Sequence, residues 1–593
     1  MRTFETQIGR FKAGFSICHV LCVLGVFSSS FSLGQDSQRQ RAQQFKATHD
    51  WTDPLTVPLV LSGNFGELRG NHFHTGLDMK TQGREGLPVL AATDGVLARI
   101  KMSPWGYGNA LYLEGPDGIT TVYAHLQRFA PKLQAWAVER TYAGRSLGLD
   151  AMPPASAGLT FQAGDTLGWS GNSGGSGGPH LHFEVRDTPS QHPLNPLQGW
   201  VTKSDSRPPS APSWWLESER GLVSIPARGV DTVVVDGEIR ISIEAYDRLD
   251  GASNICGIHR LDALLKDSLG DVLWKHRFGL DELNFSVNKD MNAHTLFPVW
   301  SLERDQVHRI HRLRGNRLDI YAEGAETGIV ALDSGEVATL VCTVWDVEGN
   351  QTERILVLQG GQSTLTWANV ESDLETPQAV SASETRTLSA PQAKLTWDKQ
   401  TFFEPTTLGW RTDSTGMSAF VWPEFDAWRG KVNVEWALPS PEVVWGMSGA
   451  ALPQDELPGS NWVAVQEVDG QIKNVVAAQV RAGAWHMALN QGGAWRMVRD
   501  TVVPAVIPYH SGTPIVEGGD AVWFVEDLLA GVEALTLTIG GQWARLVWDP
   551  KRNMATYEAT DGRHPSGSPV QVELKVMDGV GNTSAWAGTL TWP

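Results

Sequence analysis

Two histidine-containing segments restrict the fold and chemistry of this chain more than any other feature. They are His74-Thr75-Gly76-Leu77-Asp78 and Pro179-His180-Leu181-His182-Phe183-Glu184-Val185. The second segment is an apolar run typical of a β-strand, and side chains two residues apart on a strand face the same side. His180 and His182 are therefore expected on one face. Two histidines and one aspartate around a zinc ion leave its fourth position open, which is typical of catalytic rather than structural sites.

The residues around these two segments resemble those of a known family. A further histidine lies in Tyr123-Ala124-His125-Leu126, a Gly-rich run at 171–178 precedes the His-x-His pair, and the run at 86–96 follows the first segment. Together they resemble the lysostaphin/LytM-type zinc metalloendopeptidases, which cut peptide cross-bridges in bacterial cell walls. The resemblance covers about residues 50–200. It implies a β-sheet peptidase domain of the duplicated hybrid motif type.

The resemblance also implies a role for each of five residues. It implies that His74, Asp78 and His182 bind one zinc ion per chain. It further implies that His125 and His180 assist catalysis. A single histidine in an apolar strand is usually a core residue, but five residues matched in order favour a functional site.

Imidazoles are the candidates for proton transfer at the predicted site. The chain has no His-Glu-x-x-His motif to supply a glutamate base. Histidine has an unperturbed pKa suited to that task, so His125 and His180 are the candidates. The sequence leaves open which of them is the base and which stabilises the oxyanion. His72 is a weaker ligand candidate than His74, because only His74 has the four-residue spacing to Asp78.

An insertion separates the segments that carry the two assisting histidines. In the family the Gly-rich run follows the Tyr-x-His segment closely, whereas here residues 126–167 intervene, with the extra piece at about 130–159. The stretch from Lys132 to Tyr142 lacks Gly and Pro and is predicted to be helical. Because of its attachment points, we expect the insertion to form a partial lid beside the groove. A surface loop folded away from the site is the alternative.

The N-terminal residues are typical of a secretory signal. Arg2, Arg10 and Lys12 precede an apolar run at about 13–27, and a small-x-small triplet ends at Gly34. The run is short for a transmembrane anchor. We therefore expect residues 1–34 to be a signal peptide. The mature protein is expected to be exported to the periplasm or cell envelope, or secreted, with no stable membrane insertion after cleavage.

Charge argues against several classes of partner. The formal net charge is −18, and removal of the signal leaves about −20, with no basic block. Nucleic acid and electrostatic docking to an anionic membrane are therefore poor candidates. The resemblance implies peptidoglycan stem peptides as the substrate. Directly linked D-alanyl–diaminopimelate is favoured over oligoglycine bridges, because the chain has appended β domains and no recognisable Gram-positive wall anchor.

The length and the later sequence predict several β domains. A chain of 593 residues is too long for one core, and short alternating segments recur after residue 200. Two segments, 344–350 and 576–582, each end a strand with Asp-x-x-Gly-Asn, a sequence suited to a hairpin turn. We predict a mostly β protein in which about three Ig-like β-sandwich domains follow the peptidase. The predicted units are a signal peptide at 1–34, the peptidase domain at 50–200 with its insertion at about 130–159, an Ig-like β-sandwich at 201–367, a linker at 368–394, a β domain at 395–499 and an Ig-like β-sandwich at 500–593.

Three further residue groups each have two interpretations. Cys256 and Cys342 form either a disulfide, in an oxidising compartment, or two buried thiols. Fourteen of the 25 tryptophans follow residue 390, and because they are dispersed we favour core packing over sugar-binding platforms. The acidic stretch Asp247 to Asp250 is predicted to be a surface turn, since no EF-hand-type loop is present, with calcium binding as the alternative.

Two functions of other classes remain open on the sequence. Relatives that have lost zinc ligands act as non-hydrolytic activators of cell-wall amidases, and the intact His74, Asp78 and His182 argue against that role. The second alternative is a wall-binding or adhesive multidomain protein, in which the β-sandwiches bind the wall or an envelope protein. Zinc content tests the first alternative, and wall binding by residues 201–593 tests the second.

Overall fold

The computed structural model describes most of the chain between residues 38 and 592. The residues that it leaves undescribed are 1–37, 229–231, 298, 300–303, 323–327, 368–377, 381–383, 423–427, 439–460, 469, 511–512, 517 and 593. The predicted signal peptide at 1–34 therefore lies outside the described residues. The described part is mostly β, as predicted, and none of its helices is long and apolar enough to cross a bilayer.

The N-terminal sheet contains eleven strands and carries the predicted site. They are β1 (Leu61–Gly63), β2 (Leu77–Lys80), β3 (Pro88–Leu90), β4 (Gly95–Met102), β5 (Asn109–Glu114), β6 (Ile119–Phe129), β7 (Leu149–Ala151), β8 (Thr160–Phe161), β9 (Thr166–Ser170), β10 (His180–Asp187) and β11 (Pro193–Leu194). The central order is β1-β2-β10-β6-β5-β4-β7. Strand β10, which carries the His-x-His pair, thus lies between the strand of Asp78 and the strand of His125.

Two helices pack on this sheet. Residues 38–48 form helix α1, whose Ala42 and Phe45 are buried near Trp200, with 5.3 Å between the ring centroids of Phe45 and Trp200. Helix α2 (Pro131–Gly144) lies in the insertion and confirms the predicted helix. Proline at its first position fits a helix start, and Arg145 ends it in the left-handed region. The short helix α3 is Met291–His294, and the 3₁₀ turns are Pro116–Gly118, Ala155–Ala157, Asn288–Asp290 and Ala559–Asp561.

The module that follows has two five-stranded sheets around a shared core. Its strands are β12 (Ser213–Ser218), β13 (Gly221–Pro226), β14 (Thr232–Val235), β15 (Ile239–Glu244), β16 (Arg260–Asp267), β17 (Val272–Gly279), β18 (Val307–Arg309), β19 (Ile329–Val330), β20 (Val337–Trp345) and β21 (Gln351–Gly360). One sheet has the order β13-β12-β15-β18 with β19 on β15, and the other has the order β14-β21-β20-β16-β17. Its core is continuous with that of the N-terminal sheet.

The third unit, predicted to be a β domain, consists of β-strands, but it is not a further two-sheet module of the predicted set of about three sandwiches. Its strands are β22 (Gln378–Val380), β23 (Arg386–Ala390), β24 (Ala393–Trp397), β25 (Thr406–Thr412), β26 (Ser418–Trp422), β27 (Val432–Ala437), β28 (Trp462–Val468), β29 (Gln471–Arg481), β30 (Ala484–Leu489) and β31 (Gly493–Arg499). They form one continuous ten-stranded sheet, in the order β22-β25-β26-β31-β28-β29-β30-β27-β24-β23, around a Trp-rich core. Every strand pairs with its neighbours along this one path, so the unit has one curved sheet and not two separate sheets.

The C-terminal module again has two sheets around its own core. Its strands are β32 (Ala505–Pro508), β33 (Ala521–Glu526), β34 (Val532–Ile539), β35 (Gln542–Ala544), β36 (Val547–Asp549), β37 (Met554–Tyr557), β38 (Val570–Asp578) and β39 (Thr583–Leu590). The sheet orders are β32-β33-β37-β36 and β35-β34-β38-β39. Both two-sheet modules have the layout of a sandwich, and their Ig-like identity stays a prediction.

The structure also shows the predicted linker segment, the two cysteines and the late tryptophans. The segment 368–394 was predicted to be a linker, but its described part includes β22 and β23, and Leu388 of β23 is buried in the core of the ten-stranded sheet. Alternation of buried and exposed side chains along β23 explains this difference. Cys256 and Cys342 are buried free thiols. Most of the late tryptophans are core residues; those with less than 2% of their surface exposed are Trp397, Trp410, Trp436, Trp485, Trp495, Trp523 and Trp592.

Candidate metal centre and active site

Three ligand atoms converge at the junction of β2 and β10. Asp78 on β2 lies directly opposite His182 on β10, and His74 precedes β2. The distances from His74 Nε2 to Asp78 Oδ1, from His74 Nε2 to His182 Nδ1 and from His182 Nδ1 to Asp78 Oδ1 are each 3.0 Å. Ligand atoms on a tetrahedral zinc, with bonds of about 2.0–2.1 Å, lie roughly 3.3 Å apart. The triangle therefore fits three ligands on one zinc ion.

The outer ring nitrogens determine the tautomers of both histidines. His74 Nδ1 is 2.7 Å from the carbonyl oxygen of Asn64, and His182 Nε2 is 2.8 Å from Glu184 Oε1. Each of these oxygens can only accept, so each outer nitrogen carries the proton. The two inner nitrogens then present lone pairs towards the Asp78 carboxylate. Three acceptor atoms that face one another in this way form the arrangement of a histidine-carboxylate metal site.

Glu184 holds His182 in position from the next site along the same face of β10. It is fully buried, and its Oε1 also accepts hydrogen bonds from Thr75 Oγ1 and Tyr107 OH, each at 2.6 Å. Arg186 Nε donates to the other oxygen at 2.6 Å. Burial raises the pKa of Glu184, but Arg186 and the hydrogen bonds from His182 and Thr75 outweigh it and hold this pKa well below its usual range. Glu184 is therefore an ionised acceptor.

Asp78 is fixed through its second oxygen. Arg69 Nη2 donates to Asp78 Oδ2 at 2.7 Å, while Oδ1 faces the two histidines. Burial raises the pKa of Asp78, but the neighbouring rings of His74, His180 and His182 hold it well below its usual range. The carboxylate is thus ionised and oriented as a metal ligand needs to be.

The two remaining histidines lie beside this triangle. Nδ1 of His125 donates to the carbonyl oxygen of Ser173 at 2.8 Å, and Nδ1 of His180 donates to that of Gly178 at 2.8 Å. The Nε2 atom of each ring is thereby left as an acceptor. Their ring centroids are 4.8 Å apart, and His180 Nε2 is 3.3 Å from Asp78 Oδ1. Burial, followed by the charges of His182 and His180, lowers the pKa of His125 to about 3, so His125 is neutral near pH 7.

Local backbone geometry explains why these side chains converge. His125 has φ of +58°, a left-handed conformation uncommon for a residue with a side chain, at a point where the pairing of β6 with β5 shifts register. This bend aims the ring at the site. Gly76 is required because a Cβ there would lie 2.4 Å from the carbonyl oxygen of Phe183 and 3.0 Å from His182 Nε2.

The first two-sheet module supports the metal site directly. Asn64, which accepts the His74 proton through its carbonyl, exchanges side-chain hydrogen bonds with the backbone of Gly257 at 2.7 and 2.8 Å. Phe73, the neighbour of His74, donates its backbone N–H to Asn288 Oδ1, and its carbonyl oxygen accepts from Asn288 Nδ2. The segment that carries His74 is therefore held between the two units.

The insertion and the Gly-rich run both contact the C-terminal module. Tyr142 at the end of α2 bonds Asp561 at 3.1 Å and packs edge-on against Trp543, and Leu147 packs on that module's core. Lys551 donates to the carbonyl oxygens of Asn172 and Ser176. The insertion thus packs against the C-terminal module, which is distant in sequence.

All five predicted site residues meet in this region, whereas His72 lies outside the group and is exposed. Sequence reasoning missed the supporting residues. Glu184 had a detectable signal, since it lies two residues after His182 and shares its face of β10. Arg69, Tyr107 and the C-terminal contacts had none, because they reach the site only through the fold.

Comparison with known proteins assigns the domain to a family. Residues 72–196 match the family model described as peptidase family M23. The DD-carboxypeptidase/endopeptidase Mpg of Neisseria meningitidis is 33% identical over 124 residues, 21% of this chain and 22% of that protein. The glycyl-glycine endopeptidase ALE-1 of Staphylococcus capitis is 30% identical over 128 residues, 21% of this chain and 26% of that protein. The chain thus spans only about a quarter of the curated relatives it matches.

A solved structure is similar over the same region. The catalytic domain of lysostaphin from Staphylococcus simulans is 22% identical, with 26% of this chain and 94% of that domain covered and a TM-score of 0.17. On the family match and the sequence relatives, residues 72–196 form a metallo-endopeptidase domain of family M23, of the lysostaphin/LytM type. Its His74, Asp78 and His182 are intact and buried, and they fit a zinc site.

Proposed function

We propose that the chain is an exported zinc metalloendopeptidase that hydrolyses peptide cross-links of peptidoglycan. The observation that carries the proposal is the triangle of three acceptor atoms on His74, Asp78 and His182, each pair 3.0 Å apart. These residues would hold one zinc ion. A zinc ion in such a site supplies Lewis acidity, which lowers the pKa of water to roughly 7 and polarises a carbonyl.

His125 and His180 are the proposed proton-transfer residues. Each has its Nδ1 proton held by a backbone carbonyl, so Nε2 is the atom that accepts or returns a proton. The low pKa of His125 keeps its Nε2 unprotonated near neutrality. Glu184 acts as a positioning residue through His182, because its carboxylate is already saturated with hydrogen bonds.

The proposed bond is the direct D-alanyl–diaminopimelate cross-link, cut in the periplasm or envelope. The support is the predicted signal peptide at 1–34 together with the likeness to a DD-carboxypeptidase/endopeptidase over the catalytic region. The non-hydrolytic activator is the second candidate. The complete His/Asp/His group argues against it.

Digestion of purified peptidoglycan tests this function. Zinc-loaded protein is incubated with directly cross-linked sacculi, and the products are analysed by mass spectrometry. We expect dimeric muropeptides to be converted to monomers, and His182→Ala protein, treated in the same way, to leave the dimers intact. If dimers persist while a pentaglycine substrate is cut, the proposed bond is wrong. If neither substrate is cut, the activator function replaces the peptidase.

A further inference from the structure

Three carboxylates meet where the peptidase domain joins the first two-sheet module. Asp205 lies in the connecting segment before β12, Asp247 follows β15 and forms a β-bridge with Cys256, and Asp346 follows β20. One oxygen from each lies within 4.8 Å of the others. Asp247, predicted to be in a surface turn, has only 1% of its surface exposed. Three carboxylates this close together, with one of them buried, are stable only with a bound cation or with a proton on one of them.

None of the three carboxylates forms an ion pair with a Lys, Arg or His side chain in the part of the chain that the structure describes. The charge of Arg207 acts on Asp247, but the guanidinium donates its hydrogen bond to the carbonyl oxygen of Ala252 at 3.4 Å. Burial and the neighbouring carboxylates Asp346 and Asp205 raise the pKa of Asp247 to about 7.

Two of the carboxylate oxygens also lack a hydrogen-bond partner. Asp247 Oδ1 and Asp205 Oδ2 are both buried atoms for which the described residues provide no donor. The other oxygen of Asp205, Oδ1, accepts a hydrogen bond from the backbone N–H of Asp250 at 2.8 Å. This bond fixes the orientation of the carboxylate and therefore the position of Oδ2. Both oxygens of Asp346 accept bonds from its own Asp-x-x-Gly-Asn turn, which holds this carboxylate rigid. A buried carboxylate oxygen with no donor is the arrangement expected of a cation ligand.

We propose that Asp205, Asp247 and Asp346 bind a calcium ion. Calcium takes oxygen ligands at 2.3–2.6 Å, so two oxygens on one ion lie at most roughly 5 Å apart, as they do here. The site offers oxygen and no nitrogen or sulfur, which disfavours zinc. The ion would join the connecting segment of Asp205 to the bridge segment of Asp247 and the turn of Asp346. It would thereby fix the segment between the catalytic domain and the module that supports His74.

The C-terminal module contains a second group of the same construction. Asp500, Asp527 and Asp578 bring three oxygens within 4.8 Å of one another. The turns match closely: the side-chain Nδ2 of Asn350 donates to the carbonyl oxygen of Asp205 at 3.1 Å, and that of Asn582 donates to the carbonyl oxygen of Asp500 at 3.1 Å. In this second group, within the part of the chain that the structure describes, no buried carboxylate oxygen lacks a hydrogen-bond partner. The proposal therefore concerns the first group.

Calcium titration of the full, zinc-loaded chain tests the proposal. Asp247→Asn removes the charge of the buried ligand at nearly constant shape, and Asp205→Asn is a second variant at the edge of the module. Asp271→Asn, an exposed aspartate in the same module, is the matched control. We expect the wild-type and control proteins to bind calcium in calorimetry and to gain about 4 °C or more in Tm with excess calcium. Both ligand variants should fail to bind calcium at this site, and their Tm should not rise with calcium.

The calcium-free proteins supply an independent readout. Asp247→Asn relieves the repulsion among the carboxylates, so without calcium its Tm should equal or exceed that of the wild type, whereas with calcium the order should reverse. This reversal also shows that the variant folds. A wild-type chain that takes up no calcium overturns the proposal, since protonation of Asp247 then suffices. Calcium binding that survives Asp247→Asn overturns it as well. An equal response to magnesium overturns the choice of calcium.

Discussion

At the scale of single residues, the two inner histidines depend on the groups that accept their outer ring protons. The Asn64 carbonyl does this for His74, and the Glu184 carboxylate does it for His182. Such partners fix the ring orientation and increase the basicity of the ligand nitrogen. Glu184 also takes three further donors in a fully buried position, so its charge is essential to the whole cluster.

Replacing Glu184 by Gln should therefore weaken zinc binding without removing a ligand. The amide keeps the size of the side chain but loses the charge that Arg186 and His182 need. We expect the zinc dissociation constant to rise by roughly tenfold to a hundredfold, as for other groups that support metal ligands. Competition with a chromophoric chelator measures it. Glu114→Gln, an exposed carboxylate on the same sheet, should leave the affinity unchanged. An unchanged affinity in Glu184→Gln would show that the contact is only structural.

At the scale of elements, the Gly-rich run at 171–178 links the C-terminal module to the site. Lys551 holds the carbonyls of Asn172 and Ser176, and Ser176 Oγ is 3.1 Å from His180 Nδ1. The helix of the insertion was predictable from composition, because residues 132–142 lack Gly and Pro. Its docking on Trp543 was not, since that contact joins residues about 400 positions apart. The lid function of the insertion stays a prediction beside this observed contact.

Lys551→Met should slow catalysis without loss of metal. The substitution keeps the aliphatic stem and removes the ammonium group that fixes the Gly-rich run, so His180 becomes less well positioned. We expect kcat to fall by roughly tenfold while zinc content is unchanged, because small misplacements near reacting groups have effects of this order. Lys575→Met, an exposed lysine of the same module, is the control. Full activity in Lys551→Met would mean that the module does not act on the site.

At the scale of the whole molecule, the peptidase domain and the first module share a single core, while the ten-stranded sheet and the C-terminal module have separate ones. The site residues could be predicted because strand spacing and short motifs encode them locally. The β class followed from alternation. The ten-stranded sheet and the strands inside the predicted linker could not be predicted, because strand partners are chosen by tertiary packing and not by local pattern. The continuity of the first two units implies that the catalytic domain is completed by the module next to it.

The zinc content of the protein depends on His74, Asp78 and His182, with His125 and His180 outside the proposed ligand set. Elemental analysis of purified variants tests this assignment. We predict one zinc per chain in the wild type, none in His182→Ala, and one in both His125→Ala and His180→Ala. The last two should be slowed by roughly a hundredfold to ten-thousandfold in hydrolysis. Full zinc content in His182→Ala, or loss of zinc in His125→Ala, would contradict the assignment.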